Sequence, residues 1–280
     1  MRVYQANAPE NLGAVRLENY LAQAMPLLPA RVIRDAFQKR DVKMNGVRAG
    51  KDAPVLPGAK IQLYTPFEIQ LPVVYEDENI LIINKPAGIS SDDDGRGGMT
   101  VESLLQKENG YPRLCHRLDN ATCGLLLLCK NSESEEILLE DFKERRMEKR
   151  YECLVRGEMR PPAAVKEAYL IKDAGNAKVR VITHGTPGAL PIATQYETIS
   201  FDGTISRLRV TLLTGRTHQI RAHMSFLSHP LLGDDKYGDR ALNKRLKASS
   251  LKLCACELVL HPGGKLSYLD GKMFSIPAPF

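Results

Sequence analysis

The sequence predicts an α+β protein, with a large mixed, mainly antiparallel sheet and flanking helices following a small α+β module. Three observations predict it. Beyond residue 148, strand-like runs succeed one another at Glu148–Val155, Ala164–Ile171, Lys178–Ile182, Ile192–Ile199 and Ser206–Leu213. The few helical patterns between them argue against the alternating order of a parallel fold. The composition, 43% hydrophobic and 26% charged over 280 residues, suits a globular chain with one large domain and one small one.

In chain order, residues 14–37 carry helical periodicity in two pieces. Val15, Leu17, Leu21 and Ala22 form an apolar face that ends near Met25-Pro26. A second helix opens after Pro29, with Val32, Ile33, Ala36 and Phe37 inward and Arg31, Arg34, Lys39 and Arg40 on the other side. Asn45-Gly46 signals a hairpin, and Pro57-Gly58 precedes a strand at Lys60–Tyr64. Thr65–Pro72, with two prolines and no periodicity, reads as a linker, which divides the chain into 1–68 and 69–280. Strands follow at Val73–Tyr75 and Ile80–Ile83. Ser91–Gly98, with three consecutive Asp and three Gly, reads as a mobile, solvated loop, because adjacent aspartates cannot all aim at one cation. Thr100 caps a short helix to about Glu108. Cys115–Lys130 is a polar loop, holding His116, Arg117, Asp119 and Thr122, that runs into the buried strand Leu125–Leu128. Ser132–Arg146 is an amphipathic helix with acids early, cations late, and Leu138, Leu139 and Phe142 facing the core. On the strand after it, Tyr151, Cys153 and Val155 share a face. Thr214–Met224 starts as a turn and becomes a helix.

No apolar run approaches the ~20 residues needed to span a bilayer, and MRVYQANAPE lacks a signal peptide's apolar core. A cytoplasmic protein without a membrane partner is expected. The six cysteines form no C-x-x-C pair and read as small buried hydrophobes. Cys254 and Cys256 share a strand face, weak grounds for a metal, so none is expected. The net charge of +6 suits a polyanionic partner without requiring one. Ten of the Lys and Arg residues against six acids lie in residues 1–70, which puts most of the excess in the first quarter. On that second helix the one-signed charge favours phosphate contact over a merely solvated face.

The chain has no G-x-G-x-x-G after a strand, no P-loop, no H-E-x-x-H and no G-x-S-x-G. Three polar clusters remain in apolar surroundings: His116–Asp119, Lys149–Tyr151 and Gly215–His223. Asp119 and Arg117 taken alone are as consistent with an ion pair before a core strand as with a site.

Residues 14–64 resemble the S4-type RNA-binding domain. HRLDNATCG at 116–124 resembles the His-Arg-Leu-Asp-x-x-Thr-Ser-Gly motif of the RluA family of RNA pseudouridine synthases. INKPAG at 83–88, KRYECLVRG at 149–157, LTGRTHQIRAHM at 213–224 and HPLLGDDKYG at 229–238 match the same family in the same order. The resemblance implies an isomerase that breaks the N1–C1′ bond of selected uridines, turns the uracil and joins C5 to C1′, with no cofactor. It implies RNA as partner, large-subunit ribosomal RNA ahead of transfer RNA, and a monomer. It implies Asp119 as the catalytic carboxylate, Arg221 as its ion-pair partner and Tyr151 as a ring that stacks on uracil and can take the C5 proton. A carboxylate suits a step that develops positive charge on a sugar, and a nearby guanidinium favours its ionised form.

Arg117, Lys85, Arg31, Arg34 and Arg216 are the expected substrate- or RNA-binding residues. Arg117 can fill the gap a flipped uridine leaves, bind a phosphate, or pair with an internal acid. Lys85 holds the first motif's loop against the site. His116, His218 and His223 are expected to hydrogen-bond within the fold. Cys123 stands where the family carries Ser, Cys254 where it commonly carries His, and Ser91–Gly98 is unlike the usual segment. A catalytically silent RNA-binding or assembly factor is the competing class. A glycosidase is disfavoured, since it would want a second carboxylate nearby.

Overall fold

The computed structural model describes residues 1–106, 109–173 and 178–280. The chain begins with β1 (Arg2–Asn7), α1 (Leu17–Ala24), α2 (Ala30–Gln38), β2 (Val42–Met44), β3 (Val47–Arg48) and β4 (Lys60–Thr65). These strands form an antiparallel sheet in the order β1-β4-β2-β3. Leu17, Leu21, Val32, Ile33 and Ala36 from the two helices are buried with Val42, Ile61 and Leu63. The helices thus lay their apolar faces on the sheet. Asn45 and Gly46 both take positive φ, as the hairpin between Met44 and Val47 demands. The sequence reading did not identify β1, where only Tyr4 and Ala6 turn inward and too little alternates to be legible.

Next come β5 (Val73–Glu76), β6 (Ile80–Lys85), α3 (Val101–Leu105), β7 (Arg113–Leu114), β8 (Cys123–Cys129) and α4 (Ser132–Lys143). They are followed by β9 (Glu148–Arg156), β10 (Ala163–Asp173), β11 (Lys178–Ile182), β12 (Leu190–Phe201) and β13 (Ile205–Leu212). The chain closes with α5 (Gln219–Phe226), α6 (Arg240–Arg245), β14 (Leu253–Val259) and β15 (Met273–Ser275). The second sheet runs β11-β10-β12-β13-β9-β14-β8-β6-β5, with β15 on β14 and β7 on β8. Among the described residues every pairing between named strands of this sheet is antiparallel except β14 with β8. The expected α+β class, with a large mixed and mainly antiparallel sheet, is the observed one.

Three local expectations need correction. Leu139 is 46% exposed, whereas Ser134, Leu138 and Asp141 form the buried stripe of α4. One residue rotates a helix by about 100°, so Leu138 and Leu139 cannot both sit at the centre of that stripe. The helix after Thr100 ends at Leu105, and Glu108 lies outside the described residues. Residues 91–99 are not a detached loop. Its tip, 93–96, is exposed, but Ser91 and Met99 are buried. The Asn7 amide donates to the Gly97 carbonyl at 2.8 Å and the Met99 amide to the Ala24 carbonyl at 2.7 Å. This strap ties the N-terminal sheet to the large one, and a single buried cluster runs from Tyr4, Leu21 and Ile33 to Tyr151, Leu208 and Ile220. No helix among the described residues is long and apolar enough to cross a membrane.

Candidate active site

Strand register creates the floor of the site. Tyr151 on β9 pairs with Ala255 on β14, Ala255 with Gly124 on β8, and Gly124 with Lys85 on β6. Gly124 has φ +118°, and a Cβ there would lie 2.4 Å from the Ala255 carbonyl oxygen. Only glycine lets the one parallel pair close so tightly. The polar loop 116–122 therefore ends at a fixed point, two strands from Tyr151.

The first family-like motif grips that loop from behind. Lys85 is wholly buried, and its Nζ donates to the carbonyls of Pro86 (3.0 Å), Ile89 (2.8 Å) and Asn120 (3.3 Å). Burial pulls the ammonium down to about 8, while Cys123 and Asp119 oppose the fall. Ser91 Oγ donates to the Leu118 carbonyl at 2.9 Å and accepts from the Leu118 amide at 3.1 Å. The Gly88 amide donates to the Asn120 carbonyl at 2.8 Å. Lys85 accordingly has no surface to offer RNA. Its inclusion among RNA-binding residues is corrected, because three carbonyl acceptors already consume its three protons.

Asp119 stands at the mouth, its side chain 22% exposed, with the Arg221 Nη1 3.4 Å from Oδ2. Arg221 is buried in α5, and its principal partner is a different acid. Asp234 binds it through both oxygens, Nε to Oδ2 at 2.7 Å and Nη2 to Oδ1 at 2.9 Å, and Asp235 adds a contact at 3.0 Å. The expectation of a simple Arg221–Asp119 pair is thus refined. The fork is anchored on Asp234, and its remaining nitrogen reaches the mouth. Asp234 is buried, yet the Arg221 guanidinium and the amides of Lys236 and Tyr237 hold its carboxyl below the usual range. His218, at φ +54° just before α5, has Nε2 3.9 Å from Asp119 and Nδ1 2.9 Å from the Tyr237 hydroxyl. Burial lowers its pKa against the pull of Asp119.

Tyr151 is buried on the floor, and burial together with the Asp119 carboxylate pushes its phenol well up. The ring is neutral at neutral pH and offers a flat apolar face, not a ready base. His116 accepts the Leu127 amide at Nε2 (3.1 Å), and His223 Nδ1 meets Thr194 Oγ1 at 3.0 Å. Both rings bond within the fold.

The cleft above this floor has a volume of about 2020 Å³, larger than the ~300–1,000 Å³ of a small-molecule pocket. Asp119, Tyr151, Arg221, Arg117 and Arg216 all line it, whereas Lys85, Arg31 and Arg34 do not. Arg117 is exposed and pairs through Nε with Asp92 of the strap at 3.0 Å. Arg216 is exposed at the rim, and Arg31 and Arg34 are exposed on α2, away from the cleft. Sequence reasoning gave no role to Asp234, although HPLLGDDKYG contains it; two adjacent acids carry no sign of which one turns inward. Among the described residues no three His, Cys, Asp or Glu side chains converge so as to hold a metal ion.

A carboxylate beside an anchored guanidinium, over an aromatic floor, in a cleft sized for a polymer segment and rimmed by arginines, fits chemistry on a flipped nucleoside. A profile of the family described as RNA pseudouridylate synthase matches residues 79–226, more than half the chain. This chain belongs to that family. The ribosomal large subunit pseudouridine synthase C of Vibrio vulnificus (strain CMCP6) is 30% identical over 264 residues, 85% of this chain and 81% of that protein. The protein of the same name from Rickettsia felis (strain ATCC VR-1525 / URRWXCal2) is 30% identical over 287 residues, 92% and 93% of the two. Among solved structures, Human RNA Pseudouridylate Synthase Domain Containing 1 is similar with a TM-score of 0.64 and 25% identity, over 78% of this chain and 87% of that one. As a member of this pseudouridylate synthase family, the chain is an isomerase acting on RNA.

Proposed function

We propose that this synthase isomerises selected uridines in ribosomal RNA of the large subunit, with Asp119 as the catalytic carboxylate. The observation that carries the reading is the Asp119 carboxylate at the cleft mouth, 3.4 Å from the Arg221 guanidinium and electrostatically coupled to the buried ring of Tyr151. The names of the relatives support the choice of RNA. In this reading the uridine leaves its stack and lies on Tyr151. Breaking N1–C1′ leaves positive charge on the sugar, which the carboxylate stabilises or traps. The uracil turns, C5 joins C1′, and the proton lost from C5 is balanced by one gained at N1. Nothing is oxidised, so the step needs no redox cofactor. Arg221, anchored by Asp234, keeps the carboxylate oriented. Arg117 exchanges Asp92 for the RNA, and Arg216 meets the backbone at the rim.

Residues 1–68 serve in this reading as an S4-like RNA grip through Arg31 and Arg34, and 69–280 as the catalytic domain. The protein works as a cytoplasmic monomer. Asp119→Asn is expected to lower turnover at least ~10³-fold while RNA affinity stays within about twofold. Near-wild-type turnover would sink the assignment. Site-resolved pseudouridine mapping of cellular RNA with and without the protein identifies the substrate. Sites lost only from transfer RNA would overturn the ribosomal reading.

A further inference from the structure

Two lysines stand beside this cleft, Lys85 wholly buried and Lys149 half-buried on its wall, and they are solvated differently. Lys85 gives its protons to three backbone carbonyls. Lys149 has no hydrogen-bond acceptor and no acid among the described residues; its one described partner is the Phe142 ring, 5.1 Å from Nζ. Burial alone lowers its pKa, with no carboxylate to oppose the fall. The neighbouring His116 cannot help, because its ring nitrogen already accepts the Leu127 amide and burial and Lys149 drive its pKa down to about 3. A half-buried ammonium without a counter-charge is partly desolvated, which costs stability and returns none through an ion pair.

Its placement gives the reason to keep it. Lys149 and Tyr151 are two residues apart on β9, so both side chains leave the same face, about 7 Å apart along the strand. Both line the cleft. Opposite Nζ, Gly215 presents only backbone, and a Cβ there would come within 3.2 Å of the ammonium. The missing side chain keeps the space beside the ammonium clear on that side of the cleft.

Resting on the reading of Tyr151 as the floor under the uridine, we propose that Lys149 is a binding subsite for a phosphodiester oxygen of the substrate strand, adjacent to the target nucleotide. The anion completes a site that is electrostatically unfinished in the free protein. Lys149 is then a positioning residue: it fixes the backbone one nucleotide's reach from the base, and the bond it forms is stronger for being desolvated.

The test separates this role from a structural one, because the two predict opposite stability changes. Lys149→Met keeps the length of the side chain and removes the uncompensated charge. Its melting temperature is expected to equal or exceed that of the wild type, as is that of Lys149→Gln. With in vitro transcribed large-subunit ribosomal RNA as probe, both variants should bind about tenfold more weakly at 100 mM KCl. The slope of log affinity against log salt should fall by about 0.7–0.9, one phosphate contact, and Lys149→Arg should restore it. A wild-type salt slope in both neutral variants overturns the proposal, whatever the melting temperature. A second arm uses a synthetic RNA around the mapped uridine with a neutral methylphosphonate at each flanking position in turn. One position should weaken the wild type and leave Lys149→Met unaffected, and equal losses at every position would refute the subsite. The first arm needs no turnover, so a wild-type protein that made no pseudouridine would defeat the functional reading while the salt slope still decided this one.

Discussion

Cys123 stands where the family motif carries serine, and its neighbours change what the sulfur can do. The Cys123 Sγ donates to the Leu253 carbonyl at 3.6 Å, and the neighbouring Cys254 thiol, with Lys85 and Lys252 near, draws the Cys123 thiol down to about 7 against its burial. It is half-buried, while the other five cysteines are buried, so the expectation of small buried side chains holds for those five. Iodoacetamide at pH 7.5 should therefore label Cys123 first, as read by peptide mass spectrometry; prior labelling of any other cysteine would contradict this microenvironment. His223 makes a pH argument of the same local kind. It is wholly buried, and burial, with Lys166 nearby, lowers its pKa from 6.5 to about 4. Above pH 6.5 the ring is neutral folded or unfolded, so its full contribution to stability is present. As pH falls from 6.5 towards 4 only the unfolded chain takes up the proton, and at pH 5 this costs about 2 kcal/mol. Melting curves of His223→Gln and wild type should converge or cross as pH falls from 7 to 5, and parallel curves would exclude the linkage. Neither effect was legible in the sequence, because it shows a cysteine or a histidine but not the burial that sets its pKa.

At the scale of elements, short-range patterns were legible and their alliances were not. The buried strand after Gly124, the shared face of Tyr151, Cys153 and Val155, and the turn before α5 follow from periodicity and turn chemistry. The strap did not, since its aspartates and glycines read as solvent-facing. Two of those glycines serve docking. A Cβ on Gly97, at φ +68°, would lie 1.5 Å from the Asn7 carbonyl oxygen, and one on Gly98 would lie 3.1 Å from that of Ala24. Gly97→Ala is thus expected to break the strap's bond to β1 and to destabilise the fold by about 1–3 kcal/mol. Limited proteolysis should then cut within 92–97 at lower protease concentration. Unchanged melting and cleavage would show that the contact contributes nothing. The same strap holds Asp92 against Arg117, so it touches both the N-terminal sheet and the candidate catalytic loop.

For the whole molecule, the charge excess in the first quarter and the arginines at the rim of the cleft are separate features, since no residue of 1–68 lines the cleft. Replacing Arg31 and Arg34 with Gln should reduce the salt slope of RNA binding by about 1.5 and leave kcat at saturating RNA unchanged. An unaltered slope would remove α2 as an anchor. By itself the sequence determined the α+β class, the elements around the site and the identities of Asp119, Tyr151 and Arg221 as candidates, because motifs and periodicity are local properties of a chain. Only the tertiary structure decided that Asp234 anchors Arg221, that Lys85 is buried behind the loop while Lys149 lines the cleft with no ion pair among the described residues, and that one parallel strand pair sets the floor. Those outcomes depend on which distant side chains share a low-dielectric interior, where the worth of a charge is set by its neighbours across the sheet and not by those along the chain.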